Sequence, residues 1–201
     1  MKSIYCIIIL LIFSSCENKF ETTELNNNFT ADEISDLEKL VSFFKIKFCE
    51  SGSTDFESCF EMFAPNWIEK GLEYSAEKID FSEQKEFYGN IDQNTFDEIW
   101  DFCKTYQIRP TEREYLSVCA NTNGKYVQFL KDFGKSNPLV RKYYEDIIAA
   151  GDFDQTGLTI SYIWNKRNEI DLNNPNFQIL IAVHILTMND QFERNNNEPA
   201  G

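Results

Sequence analysis

His184 is the only histidine in this 201-residue chain, so base catalysis, a thiolate–imidazole pair or an HExxH zinc site would have one residue to draw on. It lies between Val183 and Ile185 in an apolar run. That setting predicts a buried ring bonded to a backbone carbonyl or a tyrosine, not a base facing substrate. No G-x-S-x-G elbow, glycine-rich phosphate loop or G-x-G-x-x-G fingerprint occurs. Cys49, Cys59, Cys103 and Cys119 lack the close C-x2-C pairs of a zinc site. No metal or cofactor is expected.

Two acidic groupings invite a chemical reading. Asp152-Phe153-Asp154-Gln155-Thr156-Gly157 places oxygen ligands at alternate positions before a glycine, as a calcium loop begins. The twelfth position, however, is Ile163 where a bidentate glutamate is needed, which favours a capping turn. Asp97, Glu98 and Asp101 would suffice for glycosidase chemistry, which needs two carboxylates; with 33 acidic residues in the chain, the solvated face of a helix explains them as well. Trp67, after Pro65, is expected in a loop, where it would be open to stacking on a sugar. Trp100 and Trp164 fall on apolar stripes.

The elements that must hold these residues read as helices. Phe29-Thr30-Ala31-Asp32-Glu33-Ile34 combines a capping box with a hydrophobic staple. It opens a stripe of Ile34, Leu37, Leu40, Val41, Phe44 and Phe48. Thr54 with Glu57 predicts a second helix, limited by Pro65, and Asp80 with Glu83 a short one near 82–88. Thr95 with Glu98 predicts another through Phe96, Ile99, Trp100 and Cys103. The stretch 109–121 contains Pro110 and has no sustained period, so it reads as a long loop with at most a short strand at 115–118. Helical spacing returns at 125–133, with Gly134 in the place of a left-handed terminal residue. Asn137-Pro138 and Asn174-Pro175 each set a cap before a first-turn proline, Gly151 closes the first of these helices, and 158–164 reads as helical between them. The run 177–188 is the most apolar and so central. The fold expected is all-α, an irregular bundle of about seven helices with at most a trace of strand.

The beginning of the chain sets its address. MKSIYCIIILLIFSSC has a cationic start, ten apolar residues from Ile4 to Phe13, and two serines before Cys16. This order marks a secretory signal, and it is too short for a span, which takes about 20 apolar residues. Export favours disulfides among the four remaining cysteines. Short loops close most readily, so 49 with 59 and 103 with 119 is the pairing adopted, each stabilising by about 3 kcal/mol. Residues 1–15 are expected to be removed, 16–29 to form a polar tether, 30–192 one helical domain, and 193–201 a frayed tail.

Phe-Ser-Ser-Cys resembles the lipobox of bacterial lipoproteins, although Phe13 stands where leucine is usual. The resemblance implies diacylglycerol and palmitate at Cys16, anchorage in the cell envelope and, with Glu17 where the retention signal is aspartate, the outer membrane. The chain as a whole is similar in style to small uncharacterised helical lipoproteins of Bacteroidota. That likeness implies a non-enzymatic module binding an envelope protein or a glycan, with an immunity-type role among the possibilities. A hydrolase working through paired carboxylates is the alternative. The net charge of -14 excludes nucleic acid, whose phosphates select Lys and Arg. It also suits a basic partner and leaves the lipid, not the protein surface, to meet the membrane.

Overall fold

The structure is a computed structural model and describes residues 20–49, 55–107, 113–153 and 158–197. Among them are ten α-helices and one antiparallel hairpin. The N-terminal part comprises α1 (Thr23–Asn28), α2 (Ala31–Phe48), α3 (Phe56–Lys70), α4 (Leu72–Lys78), α5 (Phe81–Tyr88) and α6 (Gln93–Asp97). Strands β1 (Trp100–Gln107) and β2 (Arg113–Ala120) follow, then α7 (Lys125–Phe133), α8 (Pro138–Ala150), α9 (Leu158–Lys166) and α10 (Pro175–Asn197).

The architecture is organised by α10. Every residue from Ile181 to Asp190 is buried, so these turns of the helix have no wet face, and α2, α4, α5 and β2 pack around it. The buried turns still carry polar side chains, and these are bonded to neighbouring elements or to the next turn, as burial requires. His184 Nδ1 lies 3.1 Å from the Tyr143 hydroxyl on α8. The Thr187 hydroxyl accepts from the Trp100 indole of β1 at 2.7 Å. Asn189 donates to Gln84 of α5 at 2.7 Å, and Gln191 donates to the Val118 carbonyl of β2 at 2.8 Å. Asp190 pairs with Arg194 one turn on at 2.5 Å, and the guanidinium lies over the rings of Phe81 and Phe102.

Many helix starts fall where local chemistry predicts. The Thr30 box is complete, with Thr30 Oγ accepting from the Glu33 amide and Glu33 accepting from the Thr30 amide. All six stripe residues of α2 are buried. Asn137 caps α8 by accepting from Leu139 and Val140, with Pro138 in the first turn, and Asn174 accepts from the Asn176 amide at the start of α10. Gly151 ends α8 at φ +75°, the left-handed region that a side chain resists. Both disulfides, Cys49–Cys59 and Cys103–Cys119, are formed as expected.

Other expectations are corrected. The described residues form ten α-helices where about seven were expected, because short elements such as α4 and α6 separate what sequence spacing blurs. The helix through Thr95 and Cys103 does not form: α6 ends at Asp97 and the chain turns into β1. Thr95 Oγ instead bonds to the buried Asp36 at 2.9 Å, and Glu98 accepts from the Lys125 amide. The expected loop at 109–121 contributes an eight-residue strand. Within the hairpin Asp101 faces Cys119 and Cys103 faces Ser117, so the two cysteines are diagonal neighbours on one face.

Pro65 does not stop α3, which runs on to Lys70. Asp55 caps α3 at the Ser58 amide, while Thr54 lies outside the described residues. Asn173, more than a hundred positions away, also accepts from the Phe56 and Glu57 amides. Within the segment expected to be a polar tether, residues 23–28 form α1 and Leu25 is buried, because burying apolar surface outweighs the flexibility of so polar a stretch. The tail is not frayed before Asn197, since Arg194 is held in the buried pair with Asp190. Gly134 is right-handed at φ -65°. What requires a glycine there is space, because a Cβ would stand 2.9 Å from the Arg141 Cα.

Candidate functional site

An open groove of about 930 Å³ lies between α8 and α9, near the upper end of the roughly 300–1,000 Å³ typical of ligand sites. It opens because the two helices lean on different supports, α8 on α7 and α9 on α3. The α8 wall presents Leu139, Lys142, Tyr143, Asp146, Ala149 and Ala150, while α9 contributes Thr159, Ser161, Tyr162 and Asn165. Small residues end α8 on this side. Tyr162 is 52% exposed, an aromatic ring left facing solvent in a protein that buries most of its rings.

Asp152 also lines the groove. Its Oδ1 accepts from the Ala120 amide at 2.9 Å and its Oδ2 from Gln191 at 2.9 Å, tying the end of α8 to β2 and α10. Burial pushes this carboxyl above the usual range, against the hydrogen bonds from Ala120, Phe153 and Gln191. Asp146 is paired with Lys142 of the same helix. Two carboxylates therefore line one groove, but each is committed to a neighbour and neither is poised over an open position.

Behind the groove wall, Tyr143 joins His184 and neighbours Tyr126, whose phenol burial pushes far above its ordinary value against a smaller opposing effect from Tyr143. His184 is fully buried and its ring meets Tyr143 edge-on. It is the tyrosine-bonded core histidine that its sequence setting predicts.

The remaining sequence candidates disperse. Trp67 is inside α3, buried, with its indole donating to Ser75 at 3.0 Å, so the expected loop platform is corrected to a core position. Trp100 is buried as well, and Trp164 is half-buried under the Arg167 guanidinium at 3.9 Å. Asp97 accepts from Gln93, Glu98 pairs with Lys125, and Asp101 is on the strand bonding the Phe102 amide; no single helix face carries the three. Cys16 and residues 154–157 lie outside the described residues. Among the described residues no group of three His, Cys, Asp or Glu side chains is placed to hold a metal ion, and no helix is long and apolar enough to cross a membrane.

Sequence reasoning missed the groove, and the signal available was thin. Ala149-Ala150 at a helix end and a Ser-Tyr pair on α9 mark a lightly filled edge only once the helices are known to diverge. A second exposed apolar feature is the hairpin face carrying Phe102 and Leu116, each 51% exposed. Comparison with protein-family models, curated proteins and solved structures finds no match to this chain. Its chemistry is therefore argued from the groove itself.

Proposed function

We propose that this chain is a non-catalytic binding module of the bacterial envelope, held at the membrane by lipid on Cys16, which takes its ligand in the α8–α9 groove. The observation that carries the reading is the groove: a mainly apolar hollow with a few polar groups and a solvent-facing tyrosine, the usual composition of a recognition site. The strong acidity of the whole chain favours a basic or neutral partner and supports an immunity-type role as one form of the same module.

Immobilised full-length protein should retain an envelope component from detergent-solubilised membranes, and Ala149→Trp, which fills the groove from an exposed helix position, should lose it. Equal retention by both proteins would remove the groove from the account. For the anchor, Cys16→Ser should abolish fatty-acid labelling and release the protein from membranes; persistent labelling refutes it.

A hydrolase remains the second reading, because Asp146 and Asp152 share the groove and burial raises the carboxyl of Asp152. It requires hydrolysis of an envelope glycan that Asp152→Asn abolishes. The binding module predicts no turnover.

A further inference from the structure

We infer that the ligand of the α8–α9 groove is a neutral oligosaccharide, an assignment that rests on the groove being the binding site. Three properties of the walls point to this class. Tyr162 offers an exposed ring, and an aromatic face packs well against the C–H face of a sugar while its edge and hydroxyl stay wet. Asn165 follows it at i+3 on α9, a helical neighbour position in the same groove. Its side chain is short and loses little rotamer freedom when a hydroxyl-rich ligand orders it. Opposite, Lys142 and Asp146 form an i,i+4 ion pair, which offers both a donor and an acceptor without net charge.

The same walls disfavour the other small-ligand classes. Lys142 is the only cation lining the groove among the described residues, and Asp146 cancels it. Asp152 then leaves the site slightly acidic in a protein of net charge -14, so phosphates and uronic acids are repelled. An acyl chain would strip water from Asn165 and from the Lys142–Asp146 pair without replacing their hydrogen bonds, which costs free energy at each group. A neutral sugar supplies both an apolar face and hydroxyls.

The test uses the full chain in detergent with cellohexaose, xylohexaose, mannohexaose and N-acetylchitohexaose, and polygalacturonate as the acidic comparison, read by titration calorimetry. At least one neutral hexasaccharide should bind saturably. Tyr162→Ala and Asn165→Ala should each weaken it about tenfold or more, equivalent to about 1.4 kcal/mol, while Tyr162→Phe stays near the parent and all variants keep its thermal midpoint. Failure of every neutral sugar to bind, preference for polygalacturonate, or binding indifferent to Tyr162→Ala each overturns the assignment. Envelope capture that is lost in Ala149→Trp without any sugar binding would remove the carbohydrate and leave the groove as the site. Sugar binding unaffected by Ala149→Trp would remove both.

Discussion

The α2–α3 end of the molecule and the α8–α9 edge are built from the same material and finished in opposite ways. Where α2 meets α3, Phe44 contacts Phe48, Phe56 and Phe63 at ring separations of 4.9, 5.6 and 5.1 Å, and the Cys49–Cys59 bond ties the junction. Between α8 and α9 the corresponding space is met by Ala149, Ala150 and Ser161, and a groove of about 930 Å³ remains. Large rings pointing inward close a helix pair. Small side chains on helices that lean on separate neighbours leave it open, and the aromatic that is present, Tyr162, faces water. Side chains in the first region fill volume; those in the second line an open groove.

That contrast breaks most visibly in stability. Phe44→Ala removes a fully buried ring and should cost about 3–5 kcal/mol, measured by denaturant unfolding. A cost near that of a surface change would mean the aromatic cluster does not hold the fold. Replacing Cys49 and Cys59 by serine should cost about 3 kcal/mol on the loop-entropy model, and Cys103 with Cys119 a similar amount. Unreduced protein should accordingly show no free thiol at these four positions on mass mapping.

Next in size is Asp36, whose buried carboxylate accepts from Lys39 Nζ at 2.7 Å, the Asp92 amide at 3.0 Å and Thr95 Oγ at 2.9 Å. Burial opposes its ionisation, but these bonds outweigh burial and hold the carboxyl below its ordinary 3.8. Its contribution is therefore present above that value and lost as pH falls through the lower folded value. Asp36→Asn should cost about 1–3 kcal/mol at neutral pH and flatten part of the acid limb of the thermal midpoint. Asp152 has the opposite sign: its carboxyl is raised above 3.8, so its contribution is complete below 3.8 and lost as pH rises through the folded value. A pH series on Asp152→Asn should lack that component, and an unchanged profile would contradict the burial argument.

The smallest effect sharpens the comparison from the other side. Tyr162→Ala should change stability by less than about 0.5 kcal/mol, as a substitution away from the core does, while removing ligand retention. A large loss of stability would make Tyr162 another packing ring and erase the difference between the two regions.

Much of the helical frame is legible in the sequence because it is decided locally. The Thr30 box, the Asn137-Pro138 start and the glycine at 151 are satisfied within a few residues of themselves, and the apolar run 177–188 has nowhere to be but the centre. The hairpin was not legible for a physical reason. Phe96, Ile99, Trp100 and Cys103 match a helical stripe, yet Trp100–Gln107 also alternates, and short apolar runs fit either period. The tie is broken by partners far along the chain: Val118 and Cys119 across the ladder, and Thr187 of α10 beneath Trp100. Pro65 misled in a similar way, since tertiary packing of Phe63 and Trp67 on both sides of it carries the helix through a position that locally disfavours it. The groove is the extreme case, being a property of how two helices diverge.

The most direct test is hydrogen–deuterium exchange on the full chain with and without its captured envelope ligand. Slowed exchange confined to residues 139–150 and 158–166, with the β1–β2 hairpin unchanged, is the predicted result. Protection appearing around Phe102 and Leu116, with α8 and α9 unaltered, would place recognition on the hairpin and contradict the account.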